Sequence, residues 1–327
     1  MIRCEVAIEH WEMREVFATS RDAITHIPVI LVTLTAADGC QGRGEAAGVD
    51  YDGETPQSMR EQLAAVAGQL KDGIDCAALQ RLLPAGGARN ALDCALWDLR
   101  AKQSGIPVWQ AAGLAAPQPV TTVLTIGLGD EADTRRKARA ADGYPLLKLK
   151  LDADRHLDVV RIVREEQPAA RILVDANQAW TRSLLERLLP GLLEQRVELV
   201  EQPVPHHEDA TLDGLVSPIP LAADESCVDL RSFGALVGRY AFVNIKLDKC
   251  GGLTEALGMS AEAARLGFGL MVGNMCGTSL AMAPGFLVAQ AGRYVDLDGP
   301  LLQRLDREPP ILFTRGLMSV PDRRLWG

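Results

Sequence analysis

The chain has 327 residues, 47% of them hydrophobic, with 24% charged and a formal net charge of −9. That length suits one large domain plus a smaller one, and an acidic chain without a basic stripe argues against nucleic-acid binding. No apolar run approaches the roughly 18 residues that cross a bilayer, and the first ten residues lack a signal-peptide core, so the expected location is the cytoplasm. The seven cysteines are scattered, with no Cys-x-x-Cys, and suggest neither a disulfide framework nor a zinc knuckle.

Residues 1–115 read as an α+β unit. Strand-like runs at Cys4 to Ile8 and Pro28 to Leu34 are followed by Gly42, Gly44 and Glu45 in a turn and then by helices. Leu92, Ala95, Leu96 and Leu99 fall on one helical stripe, with Asp93, Asp98 and Arg100 interleaved and Gly105 and Pro107 ending the helix.

From about Val120, short apolar runs alternate with helical stretches: Val120 to Gly127, Leu146 to Leu151, Ile172 to Asp175, Glu198 to Glu201, Leu221 to Asp224, Phe242 to Leu247, Leu270 to Gly273 and Tyr294 to Leu297. Eight such runs with helical crossovers predict a closed parallel α/β barrel, because its strands are covered on both faces. A doubly wound open sheet is the alternative, weakened by the lack of a Gly-rich fingerprint after the first strand.

Barrel chemistry sits at the C-terminal strand ends. Asp175, Glu201 and Asp224 close three successive runs and become neighbours across the barrel mouth. Converging carboxylates repel one another unless a hard divalent cation neutralises them, which points to Mg²⁺, with Mn²⁺ a chemical substitute. Asn177, two residues past Asp175, either orients a ligand or caps the next helix.

Lys148 and Lys150 alternate with leucines, so both share one strand face, and Lys246 ends the sixth run across the barrel. Lysines directed at an acidic mouth need an electrostatic reason, and a metal-bound anionic substrate supplies one. Two lysines on opposite faces of a carbon α to a carboxylate can remove a proton from one side and return it from the other, inverting the centre.

The motifs Lys-Leu-Lys at 148–150, Val-Asp-Ala-Asn at 174–177, Glu-Gln-Pro at 201–203, Asp-Glu-Ser at 224–226 and Lys-Leu-Asp-Lys-Cys-Gly-Gly at 246–252 resemble the muconate-lactonizing subgroup of the enolase superfamily. So does the helix Ala91 to Lys102, and the likeness spans nearly the whole chain. The resemblance implies an N-terminal α+β capping domain (residues 1–115, with a specificity loop near 15–27), a modified TIM barrel, (β/α)₇β, over 116–305, and a tail over 306–327 that returns to the cap. It implies Mg²⁺ on Asp175, Glu201 and Asp224, Lys150 and Lys246 as the acid/base pair, an ene-diolate formed by proton removal, and Lys148 on the substrate carboxylate.

Asp296 and Asp298 on the eighth run can hold an ammonium group, and this Asp-x-Asp is similar to that of dipeptide epimerases of the L-Ala-D/L-Glu type, which act on peptidoglycan-derived dipeptides. Arg21 either pairs with a substrate Glu carboxylate or is an ordinary surface arginine. The expected function is therefore Mg²⁺-dependent dipeptide epimerisation by 1,1-proton transfer. Alternatives are an N-acylamino acid racemase, cycloisomerase or o-succinylbenzoate synthase of the same subgroup and, from another class, a Schiff-base lysine aldolase. Asn274-Met275-Cys276-Gly277 departs from the subgroup's pattern and bears on side-chain preference. A homo-oligomer is left open.

Overall fold

The computed structural model describes residues 2–19, 23–70 and 73–327. β1 (Arg3–Ala18) and β2 (Ala23–Thr35) form a long antiparallel hairpin, and β3 (Gln41–Ala46) adds to β2. Alternation along β2 sends Ile30, Val32 and Leu34 onto α1 (Pro56–Leu70), α2 (Cys76–Leu82) and α3 (Gly87–Ser104), forming a separate core.

The hairpin is longer than the sequence runs suggest. The described parts of the segment expected as a specificity loop, up to Ala18 and from Ala23, are strand; Arg21 lies outside the described residues. Gly42 to Glu45, expected as a turn, is also strand. A Cβ at Gly42 would meet Ala95 O at 2.3 Å and one at Gly44 would meet Ala91 O at 2.0 Å, so these glycines let β3 lie directly on the α3 backbone.

The apolar stripe of α3 is buried as its spacing requires, but Asp93 and Asp98 are buried too. Asp93 accepts from Thr254 N and Oγ1 at the start of helix Leu253–Leu266, while Asp98 accepts from Arg43 N, Lys102 Nζ and Gly327 N. α3 is thus a helix wedged between cap, barrel and tail, and its two aspartates bond to those neighbours.

The first apolar run divides. β4 (Val120–Thr121) leaves the barrel, and β5 (Leu124–Ile126) begins it. Then follow β6 (Leu146–Lys150), β7 (Arg171–Asp175), β8 (Val197–Glu201), β9 (Leu221–Ala223), β10 (Phe242–Lys246), β11 (Gly269–Gly273) and β12 (Tyr294–Val295). All pair in parallel in chain order, and Val123 N donates to Val295 O at 2.9 Å, joining the last strand to the first. The fold is a capped, modified TIM barrel. β13 (Phe313–Thr314) and β14 (Leu317–Met318), in the tail, form a small antiparallel sheet with β4.

Inside the barrel, Val123, Leu146, Leu173, Leu199, Ala222, Phe242, Met271 and Tyr294 form one buried cluster, a single side chain from each of the eight runs. This apolar plug fills the floor. Among the described residues no helix is long and apolar enough to cross a membrane.

Candidate active site

Period-two alternation generates the site from the plug. The inward residue two positions further along each run is, in order, Thr125, Lys148, Asp175, Glu201, Asp224, Asn244, Gly273 and Asp296. Every side chain in this layer is buried. A third inward layer above it contains Lys150, Asn177, Lys246, Met275 and Asp298. The polarity change is abrupt: one pleat separates a dry floor from four carboxylates and one ammonium.

Asp175, Glu201 and Asp224 each direct a carboxylate oxygen to a point where the three oxygens lie within 4.8 Å of one another. Lys148 Nζ sits beside them, 2.7 Å from Glu201 Oε2, 3.0 Å from Asp175 Oδ2 and 2.7 Å from Asp296 Oδ2. The Glu201 contact is an ion pair without hydrogen-bond geometry, leaving Oε2 a buried acceptor with no hydrogen bond, while Asn244 Nδ2 donates to Oε1 at 2.8 Å.

Electrostatics divide the three acids. Burial, then Asp175, pushes the Glu201 carboxyl up to about 8. Burial acts on Asp175 as well, but Lys148 and Lys150 outweigh it and hold its carboxyl below the usual range. Burial likewise acts on Asp224, where Lys246, Lys249 and Lys148 together prevail and hold it well below that range. An all-oxygen donor set with an unbonded carboxylate oxygen, in which Glu201 lacks sufficient positive charge, fits a hard divalent cation such as Mg²⁺.

Lys150 Nζ donates to Asp175 Oδ2 at 2.7 Å, and Lys246 Nζ to Asp224 Oδ2 at 2.7 Å. β6 and β10, which carry them, are four strands apart in an eight-stranded barrel, so the two lysines approach from opposite sides. Both line one cavity of ≈ 320 Å³ beneath the cap hairpin, with Phe17, Ile24 and Ile27 from the cap and Met275 and Cys276 from the seventh strand. Gly273 makes room for Lys246: a Cβ there would stand 3.0 Å from Lys246 Cε and 2.7 Å from Asn244 Oδ1.

Asn177 also lines the cavity, but it does not cap the next helix, which Thr181 caps. Its backbone is left-handed (φ 43°), and its N–H donates to Asp175 Oδ1 at 2.9 Å, so it orients that carboxylate. Asp296 and Asp298 are both buried. Asp296 is bound to Lys148, and Asp298 Oδ2 accepts from Thr125 N at 2.7 Å. Burial, then Asp296, pushes the Asp298 carboxyl up to about 7. Asn274, on the cavity wall, donates to Asp296 O at 2.6 Å.

Sequence reasoning missed Lys249, Asn244 and Glu45. Asn244 was legible in principle, two residues past Phe242 on the inward face of β10. Lys249 and Glu45 were not: Lys249 reaches the site from a helical turn after β10, and Glu45, on β3 of the cap, bonds to Thr278 and Arg307 beside it.

Comparison with known proteins agrees with this geometry. Residues 1–113 match the mandelate racemase/muconate lactonizing enzyme N-terminal domain and residues 130–324 the enolase C-terminal domain-like model. The L-Ala-D/L-Glu epimerase of Escherichia coli (strain K12) is 39% identical over 316 residues, covering 95% of this chain and 98% of that protein. An N-acetyl-D-glutamate racemase of a Pseudoalteromonas species is 43% identical over 256 residues, 78% of this chain and 80% of that one. Among solved structures, an Agrobacterium tumefaciens enolase family member with homology to dipeptide epimerases, with bound sodium and L-Ala-L-Glu, superposes with a TM-score of 0.97 at 40% identity over 100% of both chains. With both family models matched along the chain and the acids and lysines assembled at one barrel mouth, this protein belongs to the mandelate racemase/muconate lactonizing enzyme family of the enolase superfamily.

Proposed function

We propose that this chain is a Mg²⁺-dependent isomerase that epimerises dipeptides of the L-Ala-D/L-Glu type by 1,1-proton transfer at the carbon α to the substrate carboxylate. The observation that carries the reading is the placement of Lys150 and Lys246 on opposite sides of one cavity, directly above the three-carboxylate cluster. An aldolase reading leaves that cluster without a purpose.

Asp175, Glu201 and Asp224 are the residues that hold the metal. Bound there, Mg²⁺ supplies the positive charge that makes a second negative charge on the substrate carboxyl group tolerable. Lys150 takes the α-proton from one face of the substrate α-carbon, leaving the ene-diolate, and Lys246 delivers a proton to the opposite face; the roles exchange for the opposite epimer. Lys148, fixed among three carboxylates, adds charge on the carboxylate side. Asn177 orients Asp175. The apolar cap hairpin around Phe17, Ile24 and Ile27 excludes water, which strengthens each of these interactions.

For the substrate's free amino group the chemistry favours Asp296 and Asp298, two neighbouring buried carboxyls, with Asp296 paired to Lys148 and the Asp298 carboxyl pushed up by burial and by Asp296. That pair separates a dipeptide from the N-acyl substrates of racemases, which carry no ammonium. Arg21 is assigned to the substrate's Glu side chain on charge grounds alone. The cap is assigned to residues 1–115, the barrel to 116–305 and the tail to 306–327. Peptidoglycan-derived dipeptides in the cytoplasm are the corresponding physiological source.

The test is solvent exchange. L-Ala-L-Glu and L-Ala-D-Glu, incubated in D₂O with Mg²⁺-loaded enzyme, should each lose the Glu α-proton NMR signal while interconverting. Absence of exchange across a dipeptide panel would sink the reading. Lys150→Ala and Lys246→Ala should each abolish epimerisation while retaining Mg²⁺ binding by calorimetry.

A further inference from the structure

Among the described residues, four lysine ammonium groups converge on the barrel mouth, and the reaction above uses three. The fourth is Lys249, three residues beyond Lys246 in the turn Leu247–Cys250. It is 2% exposed. A buried lysine is costly unless fully paired, and this one is. Its Nζ donates to Asp224 Oδ1 at 2.6 Å, to the Asp224 carbonyl oxygen and to Asn244 O at 3.2 Å. All three ammonium hydrogens are spent.

Lys246 differs. It holds the other oxygen of the same carboxylate, Asp224 Oδ2, and beyond that, among the described residues, has a 3.9 Å contact with Met275 Sδ. Asp224 therefore carries one saturated lysine and one lysine held by a single strong bond.

The opposite side of the barrel repeats the pattern. Lys150 donates to Asp175 Oδ2, while Lys148 is buried among three carboxylates, hydrogen-bonded to Asp296 and in ion pairs with Asp175 and Glu201 within 3.0 Å. Each metal-facing aspartate thus has an immobile counter-ion in addition to the lysine that faces the cavity. The two halves reach this arrangement differently: strand alternation supplies Lys148, and a helical turn supplies Lys249.

We propose that Lys249 is a positioning residue for proton transfer, the counterpart of Lys148: it keeps Asp224 fixed and charge-compensated, so that Lys246 can leave that carboxylate for the substrate α-carbon. Without Lys249, Asp224 Oδ1 loses its lysine donor, the Lys246 bond to Oδ2 is left as the carboxylate's lysine hydrogen bond and tightens, and withdrawal of Lys246 becomes more costly. The effect falls on one face of the substrate only, because Lys150 acts through Asp175. This inference rests on the epimerase reading, and the experiment separates the two.

Exchange of the Glu α-proton with D₂O is measured for L-Ala-L-Glu and L-Ala-D-Glu separately. Wild-type enzyme must exchange both; if it exchanges neither, the epimerase reading fails. Lys246→Ala then identifies the epimer whose proton faces Lys246, as the one whose exchange disappears. In Lys249→Gln or Lys249→Met, whichever folds, exchange of that epimer should fall at least tenfold more than exchange of the other, and Lys249→Arg should restore part of the difference. An equal loss for both epimers, as a purely structural role gives, overturns the assignment. So does failure of both neutral variants to fold.

Discussion

Glu45 on β3 of the cap and Arg307 in the tail, 262 residues apart in sequence, meet in an ion pair whose carboxylate is fully buried, with Arg307 donating to Glu45 Oε2 through Nε at 2.9 Å and Nη2 at 2.6 Å. Glu45 also accepts from Thr278 N and Oγ1, at the start of helix Ser279–Ala289, directly after the Met275-Cys276 segment of the cavity wall. Arg307 continues to Glu9 on β1 and lies 4.9 Å over the Trp11 ring. One carboxylate therefore ties cap, barrel and tail together beside the site.

Replacing Glu45 with Ala leaves Arg307 and the Thr278 donors without their buried partner. Breaking a buried pair from one side costs about 3–5 kcal/mol. Glu45→Ala should show that loss in urea unfolding at pH 7, and Glu45→Gln, which retains acceptors for Thr278, should lose less. Equal stability for wild type and Glu45→Ala would remove this pair from the cap–barrel junction.

Glu201 makes the metal-free protein pH-sensitive. Its folded carboxyl is pushed up to about 8 from an ordinary value of 4.5, so the folded state binds its proton more tightly than the unfolded chain does. That contribution is fully present below about pH 4.5 and is lost as pH rises through 8. In EDTA the apoprotein should lose stability between pH 5 and 8, and Mg²⁺ should restore most at the upper end. Mg²⁺ at a hundred times its Kd adds about 3 kcal/mol. Glu201→Gln should make the EDTA profile shallower, leaving the part that the raised carboxyls of Asp93, Asp248 and Asp298 contribute, and weaken the Mg²⁺ response; thermal unfolding across that pH series with and without metal measures both.

Asp298 yields a different pH signature, in substrate affinity. Its carboxyl is pushed up to about 7 and carries full charge only above that value. For a substrate with a free ammonium group, KM should therefore fall as pH rises from 6 to 8. Asp298→Asn should raise KM at pH 8 about tenfold or more, in line with the loss of a charged hydrogen bond, and should flatten the trend. A KM that stays constant with pH in wild-type enzyme would show that Asp298 does not hold the ammonium.

Much of this site was legible because strand alternation is rigid. Once Lys148 was placed inward, Lys150 followed, and the acids closing the next three runs came with them. What failed to show had a different geometric origin. Gly42 and Gly44 read as turn residues because their reason for being glycine, the α3 backbone against them, is a tertiary contact. Val120 to Gly127 read as one strand because the switch of β4 to the tail sheet depends on partners nearly 200 residues away. The 246–252 motif had a role assigned only to Lys246. In the structure Asp248 Oδ1 accepts from Gly48 N of the cap, Lys249 holds Asp224, and Gly251 gives room to Arg89 of α3, whose Nε a Cβ there would meet at 2.3 Å. A motif that resembles one catalytic element is also the seat of the cap.

Gly273 offers the sharpest test of how closely the upper layers are packed. It is the one member of the eight-residue polar layer without a side chain, and it stands next to β10, where Asn244 Nδ2 supports Glu201 and Lys246 faces the cavity. In Gly273→Ala, the added methyl group would lie 2.7 Å from Asn244 Oδ1, 2.8 Å from Asn244 Nδ2 and 3.0 Å from Lys246 Cε, so one of these side chains must move. The two shortest distances are to Asn244, which must shift whether or not Lys246 gives way as well, and its Nδ2 bond to Glu201 shifts with it. Gly273→Ala should therefore weaken Mg²⁺ binding by about 10-fold to 100-fold by calorimetry, as the loss of a group orienting a metal ligand does, and lower kcat as well. Unchanged Mg²⁺ affinity in Gly273→Ala would show that the Asn244 amide does not orient Glu201.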